Sequence, residues 1–378
     1  MPETPPLRIG IDARELLGSA TGVGRYVAEL LQRWAARPDA GRHRFLLYAP
    51  GERHGEITSR LAVGLTGAWE VRSVAGNGKT WWEQVQLPAA AARDSLDVFF
   101  APAYTAPLRL RVPTVVTIHD VSYMAHPEWF PWRTGLRRRW LTGRSARRAA
   151  RVLTPSEFSR REISDHTGVP LDRIEVTHNG LSQPALAPVT PRGESREALI
   201  LFAGSIFNRR HVPDLVRAFA RVAERHPHVR LVVAGENRTF PREDPEGLAR
   251  SLGVANRVEF RAYVQDQELA GLYNRASVFA FLSEYEGFGM TPLEALAAGV
   301  PVVVADTAVA REVCGPSACY VRTGDIEETA SAIGRLLTDK AERARLLAAA
   351  PGILSRYRWE DTADLTLRAL ERAAREHA

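Results

Sequence analysis

Two glutamates, Glu286 and Glu294, lie eight positions apart around a glycine-rich turn. The turn follows an apolar run and precedes a helical pattern. Thr291 is a natural N-cap for this helix, and Gly299 suits its C-terminal end. Backbone N–H groups of residues 287–291 would therefore point outward from a helix N-terminus, where anions are favoured. The pattern predicts a binding site for a phosphate or a diphosphate.

Each glutamate has a functional and a structural interpretation. Glu286 comes before the turn, where it could reach a sugar, or it could be a solvated loop carboxylate. Glu294 lies in the first helical turn, where it could accept hydrogen bonds from ribose hydroxyls. Thr291 and Glu294 also have the spacing of a capping box, in which the glutamate only closes the helix start. On the pattern alone, both interpretations of each residue stay open.

Two further strand ends carry polar side chains. Arg209 and Arg210 follow an apolar run at residues 198–204 in the segment GSIFNRRH, and guanidinium groups are well suited to phosphate oxygens. The alternative is a pair of exposed arginines before a helix. In the segment TIHDV, His119 ends another strand, where a lone histidine is more often structural. Asp120 beside it would either orient the imidazole or cap the following turn.

Apolar runs and helical patterns alternate along the chain, which predicts an α/β protein with parallel sheets covered on both faces. Strands are predicted at residues 8–14, 45–49, 69–74, 97–101, 114–119, 152–154, 174–177, 198–204, 229–234, 258–263, 278–282 and 300–305. Helices are predicted at residues 25–36, 212–222, 266–276, 292–298 and 326–337.

The alternation lapses at residues 182–196, where three prolines and a glycine predict a linker. We therefore expect two doubly wound, Rossmann-like domains, at residues 1–185 and 196–355. A last helix at residues 356–378 is expected to pack back on the first domain. Ligands of such sheets bind at the carboxyl ends of strands, so a cleft facing both domains is the expected site.

Composition excludes several classes of protein. The 378 residues are 45% hydrophobic and 25% charged, which excludes global disorder, collagen-like repeats and coiled coil. The net charge is +6, and only Lys79 and Lys340 among the basic residues are lysines. The sequence has no signal-peptide pattern and no apolar run of the ~18 residues that span a bilayer. We expect Cys314 and Cys319 to be core thiols of a cytoplasmic protein.

Residues 129–151 combine eight arginines with Trp129, Phe130, Trp132 and Trp140. A basic helix with tryptophans is typical of peripheral attachment to an anionic membrane, here the inner face of the cell membrane. The alternative, which the pattern slightly favours, is a solvated helix whose tryptophans enter the core. Nothing in the sequence matches a nucleic-acid-binding motif, so we expect no nucleic-acid partner.

The string SEYEGFGMTPLEALAAGVP resembles the signature of the family 4 retaining glycosyltransferases, which have the two-domain GT-B fold. Glu286, Glu294 and the GVPVV strand that follows all match, and the resemblance extends over nearly the whole chain. It implies that Glu286 holds the donor sugar and Glu294 the nucleoside ribose. Backbone amides of residues 289–291 would hold the diphosphate. The catalytic residues that it implies are His119, Arg209, Arg210 and Glu286.

The same resemblance implies roles for the other strand ends. His119 would face the donor sugar, while Arg209 and Arg210 would neutralise the departing diphosphate. Arg210 stands where the family usually has a lysine, and Ala262 stands where the nucleobase segment usually has a glycine. The implied donor-binding residues are Gly22, Gly24, Gly204, Ser205, Arg261, Tyr263, Val264, Gly287, Phe288, Gly289, Met290, Thr291 and Glu294.

The activity that the resemblance implies is transfer of a hexose, mannose favoured, from a nucleotide diphosphate sugar. GDP-mannose is the favoured donor and a UDP-hexose the next, with a glycan or polyprenyl-linked saccharide as acceptor. No Asp-x-Asp triplet occurs, so arginines and a helix N-terminus would replace a metal, and no further cofactor is expected. Three alternatives remain: a GT-B sugar-nucleotide epimerase, a phosphorylase, and a non-catalytic sugar-nucleotide-binding protein.

Overall fold

The computed structural model describes residues 5–18, 22–37, 40–61, 68–181 and 197–377. The linker predicted at residues 182–196 lies outside the described residues. The chain divides into two compact units. Unit 1 comprises Met1–Ala125, Arg133–Gly180 and Arg358–Ala378, and unit 2 comprises His126–Trp132 and Leu181–Tyr357.

Unit 1 contains a seven-stranded sheet in which all neighbouring strands are parallel. Its strands are β1 (Arg8–Asp12), β2 (Arg44–Pro50), β3 (Trp69–Val74), β4 (Val98–Ala101), β5 (Thr114–Thr117), β6 (Arg151–Thr154) and β7 (Ile174–Val176). Their order is β3-β2-β1-β4-β5-β6-β7. The chain therefore reverses its direction across the sheet between β1 and β4, which is where doubly wound sheets place their ligands.

Unit 2 contains a six-stranded sheet, again with parallel neighbours. Its strands are β8 (Leu199–Ala203), β9 (Arg230–Ala234), β10 (Val258–Arg261), β11 (Val278–Phe281), β12 (Val302–Ala305) and β13 (Ala318–Val321). Their order is β10-β9-β8-β11-β12-β13, so β8 and β11 flank the reversal. The central strands β8, β11 and β12 are fully buried, because helices cover both faces of a parallel sheet.

Helices connect the strands in both units. Their bounds are α1 (Gly22–Ala35), α2 (His54–Leu61), α3 (Leu87–Ala91), α4 (Ser122–Ala125), α5 (Trp132–Arg148), α6 (Glu157–Thr167), α7 (Val212–Arg225), α8 (Pro245–Ser251), α9 (Asp266–Arg275), α10 (Met290–Ala297), α11 (Ala308–Cys314), α12 (Ile326–Thr338), α13 (Lys340–Leu354) and α14 (Trp359–Glu376). None of the helices within the described ranges is long and apolar enough to cross a membrane.

The last helix, α14, packs in unit 1. The indole Nε1 of Trp34 in α1 donates a hydrogen bond to the carbonyl of Ala363 at 2.9 Å. Trp359 is 1% exposed, and a Cβ atom on Gly180 would lie 2.2 Å from its backbone nitrogen. Glu371 accepts a hydrogen bond from Arg42 at 2.6 Å. Helix α14 thus packs into the hydrophobic core of unit 1.

The structure differs from the sequence predictions at several element ends. Helix α1 begins at Gly22 instead of residue 25, so Gly22 and Gly24 lie in its first turn and not in a loop. The amphipathic pattern of α1 buries Gly24. The edge strand β13 was not predicted, because Ala-Cys-Tyr-Val is short and only weakly typical of a strand.

We predict that Trp359→Ala lowers the free energy of unfolding by about 3–5 kcal/mol, since a buried indole leaves a cavity. Urea unfolding of the whole chain, followed by circular dichroism, measures this change. The matched control is Trp132→Ala, because that indole is 69% exposed. The control should change stability by less than ~0.5 kcal/mol. Equal effects of the two substitutions would show that Trp359 does not pack α14 into the core of unit 1.

Candidate functional site

The carboxyl ends of β8 and β11 bring together residues that are far apart in sequence. Gly204 and Ser205 follow β8, and the segment that ends in Glu286 follows β11. Gly204 has φ 131°, and a Cβ atom there would lie 2.6 Å from Nη1 of Arg210. A glycine is therefore required for the guanidinium of Arg210 to lie against the end of β8.

Arg210 and Glu286 form an ion pair at this point. The Nε of Arg210 donates to Oε1 of Glu286 at 2.7 Å, and its Nη1 donates to the carbonyl of Ser205 at 2.8 Å. The hydroxyl of Ser283 donates to the same Oε1 at 2.9 Å. Both charged side chains are only 14% exposed. The carboxylate is therefore fixed in position, and the solvated-loop interpretation of Glu286 is wrong.

The electrostatics keep Glu286 ionised. Burial alone would raise the pKa of this carboxyl group. The charges of Arg210 and Arg209, with the hydrogen bonds from Arg210 and Ser283, outweigh the burial and hold the pKa below its ordinary value. A carboxylate at this position can stabilise positive charge on a ligand throughout the neutral pH range.

Arg209 is the most unusual group of the site. It is 9% exposed, and its Nε has no hydrogen-bond partner within the described part of the chain. Its guanidinium lies 4.5 Å from the ring centroid of Phe207. The interpretation of an exposed arginine before a helix is thus wrong for this residue. A buried guanidinium whose Nε makes no hydrogen bond is chemically suited to bind an anion.

Helix α10 begins four residues after Glu286, and it starts before residue 292, where the sequence predicted its beginning. Its first residue is Met290, and its N-cap is Gly289 with φ 99° and no side-chain capping bond. Thr291 is therefore inside the helix, and its hydroxyl is buried with no hydrogen-bond partner among the described residues. The prediction of Thr291 as the N-cap is wrong, whereas Gly299 does follow the C-terminal end with φ 68°.

Glu294 is buried in the first turns of α10. It is 6% exposed, and its Oε2 accepts a hydrogen bond from the hydroxyl of Tyr273 in α9 at 3.2 Å. Because Thr291 is not the N-cap of α10, the capping-box interpretation of Glu294 is wrong. Gly287 and Phe288, which precede the helix, are both buried, and Gly289 is half-buried.

The segment predicted to contact a nucleobase follows the edge strand β10. Arg261 is its last residue and pairs with Glu259 at 2.7 Å and with Glu268, which raises the pKa of the guanidinium. Tyr263 is 78% exposed, and Val264 beside it is half-buried. The charge of Arg261 is thus already balanced, whereas the tyrosine ring presents a free face.

His119 belongs to unit 1, just after β5. Its Nε2 donates to the carbonyl of Pro102 at 2.9 Å, which leaves Nδ1 as the acceptor nitrogen. The rings of Tyr26 and Tyr104 lie 4.9 Å and 5.4 Å away, and burial lowers the pKa of the imidazole. Asp120 accepts from the backbone N–H of the residue two positions on, so it caps the turn, as one of its two interpretations held.

A charged cluster that was not predicted from the sequence lies at the carboxyl end of β1. The Nη2 of Arg14 lies 3.1 Å from Asp12 and 2.6 Å from Glu83, and both carboxylates are 2% exposed. Thr105 donates a hydrogen bond to Glu83. Burial raises the pKa of Asp12 to about 6, and the negative charge of Glu83 adds to this effect, whereas Arg14 opposes it. The signal was present, since the apolar run of β1 ends in Asp-Ala-Arg.

Metal ligands form no cluster in the structure that is described: no group of three or more His, Cys, Asp or Glu side chains there could hold an ion. Cys314 and Cys319 are buried free thiols, as predicted, and burial raises the pKa of Cys314 to about 12. Neither thiol is poised for reaction at neutral pH.

We predict that Asp12→Asn changes how stability depends on pH. The pKa of Asp12 is about 6 in the folded protein against an ordinary value of 3.8. The wild type is thus stabilised below about pH 4 and loses that contribution as the pH rises through about 6. A shift of this size corresponds to about 3 kcal/mol. In urea unfolding between about pH 4 and pH 7, the free energy of unfolding of the variant should rise relative to that of the wild type as the pH increases. A difference that does not depend on pH would contradict this prediction.

The chain is similar to known glycosyltransferases. A family model described as Glycosyltransferase Family 4 matches residues 20–182, and one described as Glycosyl transferases group 1 matches residues 191–352. The MMP alpha-(1->4)-mannosyltransferase of Mycolicibacterium hassiacum is 31% identical over 254 residues, 63% of this chain and 60% of that protein. The O-antigen chain mannosyltransferase B of Escherichia coli is 28% identical over 299 residues, 74% of this chain and 76% of that protein.

The chain thus spans about 60% of the length of the first of these relatives. Among solved structures, the Anabaena protein HepE in complex with UDP and glucose superposes with a TM-score of 0.72 at 20% identity, over 96% of this chain and 98% of that one. This likeness confirms the predicted GT-B fold. Since the two family models together match most of the sequence, the chain belongs to glycosyltransferase family 4.

Proposed function

We propose that this chain is a retaining glycosyltransferase that moves a hexose from a nucleotide diphosphate sugar to a hydroxyl group of a glycan or lipid-linked saccharide. The observation that carries the proposal is the buried, unpartnered Nε of Arg209 beside the Arg210–Glu286 pair. These groups lie at the carboxyl ends of β8 and β11, where a doubly wound sheet binds its ligand. A diphosphate supplies the anion that the arginines lack.

The chemistry follows from the charges. The bond between the anomeric carbon and the diphosphate oxygen breaks, and its electron pair goes to the diphosphate. The acceptor oxygen bonds to the anomeric carbon on the same face, and its proton passes to an oxygen of the departing diphosphate. Arg209, Arg210 and the N-terminus of α10 stabilise the negative charge that develops on the leaving group. Glu286 stabilises the positive charge on the sugar. Because arginines supply the charge, we propose that transfer needs no metal ion.

Unit 2 is in this proposal the donor-binding domain and unit 1 the acceptor side. Glu294 would bind the ribose, and the segment after β10 with Tyr263 would stack on the base. His119 would contact the donor sugar through its free Nδ1. The names of the two relatives, both mannosyltransferases, support mannose and hence GDP-mannose as the donor. A UDP-hexose is the second choice, since HepE was solved with UDP and glucose.

We further propose that α5 attaches the protein to the inner face of the cell membrane from the cytoplasm. Trp132, Leu136 and Trp140 are 69%, 55% and 56% exposed, and their spacing of four residues places them on one side of the helix. The interpretation in which these tryptophans enter the core is wrong for Trp132 and Trp140. Arg133 and Arg137 are exposed beside them, so the surface combines aromatic groups with positive charge, which suits anionic lipid headgroups.

Arg209→Met tests the proposed diphosphate site. Removing a buried, unpaired charge should raise the free energy of unfolding of the ligand-free protein by about 1 kcal/mol. The same change should weaken GDP binding about 10–100-fold, since a charge-assisted hydrogen bond is lost. Calorimetry and thermal shift with GDP, UDP and ADP in excess EDTA measure both quantities and identify the base.

The matched control for this variant is Arg238→Met, which removes an arginine that is 54% exposed. It should change neither stability nor nucleotide affinity measurably. The diphosphate site is wrongly placed if Arg209→Met binds all three nucleotides as tightly as the wild type.

Glu286→Gln separates sugar chemistry from nucleotide binding. The variant should bind GDP at least as tightly as the wild type, because glutamine no longer neutralises Arg210. Its kcat should fall by about 10²–10³, since the charge that faces the transition state is lost. Glu236→Gln, in an exposed pair with Arg238, is the control for a surface carboxylate. A variant with normal kcat would reduce Glu286 to a structural partner of Arg210.

Membrane attachment is tested by replacing Trp132, Leu136 and Trp140 together with serine. The wild type should sediment with phosphatidylglycerol vesicles, less so with phosphatidylcholine vesicles and less so at high salt. The triple variant should remain in the supernatant. Leu252→Ser with Leu365→Ser is the control, as both leucines are 41% exposed elsewhere. Equal sedimentation of the triple variant and the wild type would overturn the attachment through α5.

A further inference from the structure

A cavity of about 470 Å³ opens in unit 2 beside the proposed donor site and is not used by it. It is formed by the segments that follow β8, β9 and β11, by the start of α7, and by one tryptophan. The residues that matter to its chemistry are Trp129, Asn208, His211, Arg217, Glu243 and Glu284. Its volume lies in the range of roughly 300–1,000 Å³ that is usual for small-molecule pockets.

The indole of Trp129 is held rigidly at this cavity. It stacks on the imidazole of His126 with a centroid distance of 3.9 Å and an interplanar angle of 14°. The ring of Tyr285 meets it edge-on at 6.3 Å. An aromatic ring fixed in this way offers a flat apolar surface at little cost in conformational entropy.

The polar wall of the cavity is a network of paired charges. Nδ1 of His211 lies 3.0 Å from Asp214, and its Nε2 lies 3.3 Å from Glu284. Arg217 donates to the same aspartate at 2.7 Å. Asp214 therefore has a cationic partner in Arg217, Glu284 faces the His211 imidazole, and Glu243 adds a further carboxylate to the lining. With Asp244, four carboxylates line the cavity beside Arg217 and His211, so the wall is net acidic and offers several oxygen acceptors next to one guanidinium.

The base of the cavity is also rigid. The amide of Asn208 donates to the carbonyl of Pro241 at 3.0 Å, and its oxygen accepts from the N–H of Phe240 at 2.6 Å. The loops after β8 and β9 are thereby held together. A flat aromatic ring beside charged acceptors and donors is the pattern that binds a sugar ring, whose C–H face is apolar and whose hydroxyl groups are polar.

We infer that this cavity is a saccharide subsite, which holds a non-reacting sugar residue of the acceptor glycan on Trp129 with its hydroxyl groups on Glu243, Glu284 and Arg217. The inference rests on the proposed function and names a part of the acceptor. The backbone N–H of Glu284 donates to the carbonyl of Arg209 at 2.9 Å. A sugar bound at Glu284 thus stabilises the loop that carries Arg209 and Arg210.

The test uses the whole protein without nucleotide and three disaccharide probes: α-mannobiose, maltose and α-galactobiose. Binding is followed by saturation-transfer NMR and calorimetry. At least one probe should bind the wild type, and Trp129→Ala and Glu243→Gln should each weaken that binding tenfold or more. Trp129→Phe should retain part of it. Trp81→Ala, which removes an indole of unit 1 that is 69% exposed, is the control and should bind as the wild type does.

GDP, UDP and ADP binding to the same variants distinguishes the two proposals. If a nucleotide binds and no disaccharide binds in a manner that depends on Trp129, the subsite is overturned and the proposed function stands. If no nucleotide binds to the wild type, the proposed function itself fails. Tetramethylammonium is a further probe: its Trp129-dependent binding in place of the disaccharides would show a cation site and overturn the inference.

Discussion

Two guanidinium groups and one carboxylate lie at the carboxyl ends of β8 and β11, and this imbalance of charge determines how the site is built. Glu286 balances Arg210, with the hydroxyl of Ser283 as an additional donor. Arg209 stays buried without a partner for its Nε in the described structure. A folded protein tolerates such a group only where its cost is offset, and we propose that an anionic ligand provides the offset.

The surrounding elements follow from that requirement. The absence of a side chain at Gly204 lets Arg210 approach the end of β8, and the left-handed backbone of Gly289 lets α10 start at the same end of the sheet. Unit 1 has a cluster of opposite sign at its own reversal point, where Arg14 serves both Asp12 and Glu83. The same sheet architecture therefore presents positive charge in one unit and negative charge in the other.

Much of this fold could be predicted from sequence because the central strands are buried on both faces and read as apolar runs. Element ends were harder to predict. The sequence predicted that α1 and α10 begin at residues 25 and 292, whereas they begin at Gly22 and Met290. For α10 the reason is that Thr291 has the pattern of an N-cap. The pairing of Arg210 with Glu286 could not be predicted by local patterns. The two residues are 76 positions apart and meet because β8 and β11 are neighbours.

The burial of Arg209 could not be predicted from the sequence either, because two consecutive arginines before a helix usually point to solvent. The family signature located the residues, but only the packing around Phe207 shows that one guanidinium is enclosed and the other paired. Thr291 shows the reverse case, as a strong capping signal was overridden by a glycine in the left-handed conformation two positions earlier.

The most direct measurement of the central claim is a crystal structure of the protein soaked with GDP or, if GDP does not bind, with UDP. We expect diphosphate oxygens within hydrogen-bonding distance of Nε of Arg209 and of the hydroxyl of Thr291, at the N-terminus of α10. A diphosphate bound elsewhere, with Nε of Arg209 still unpartnered, would contradict it.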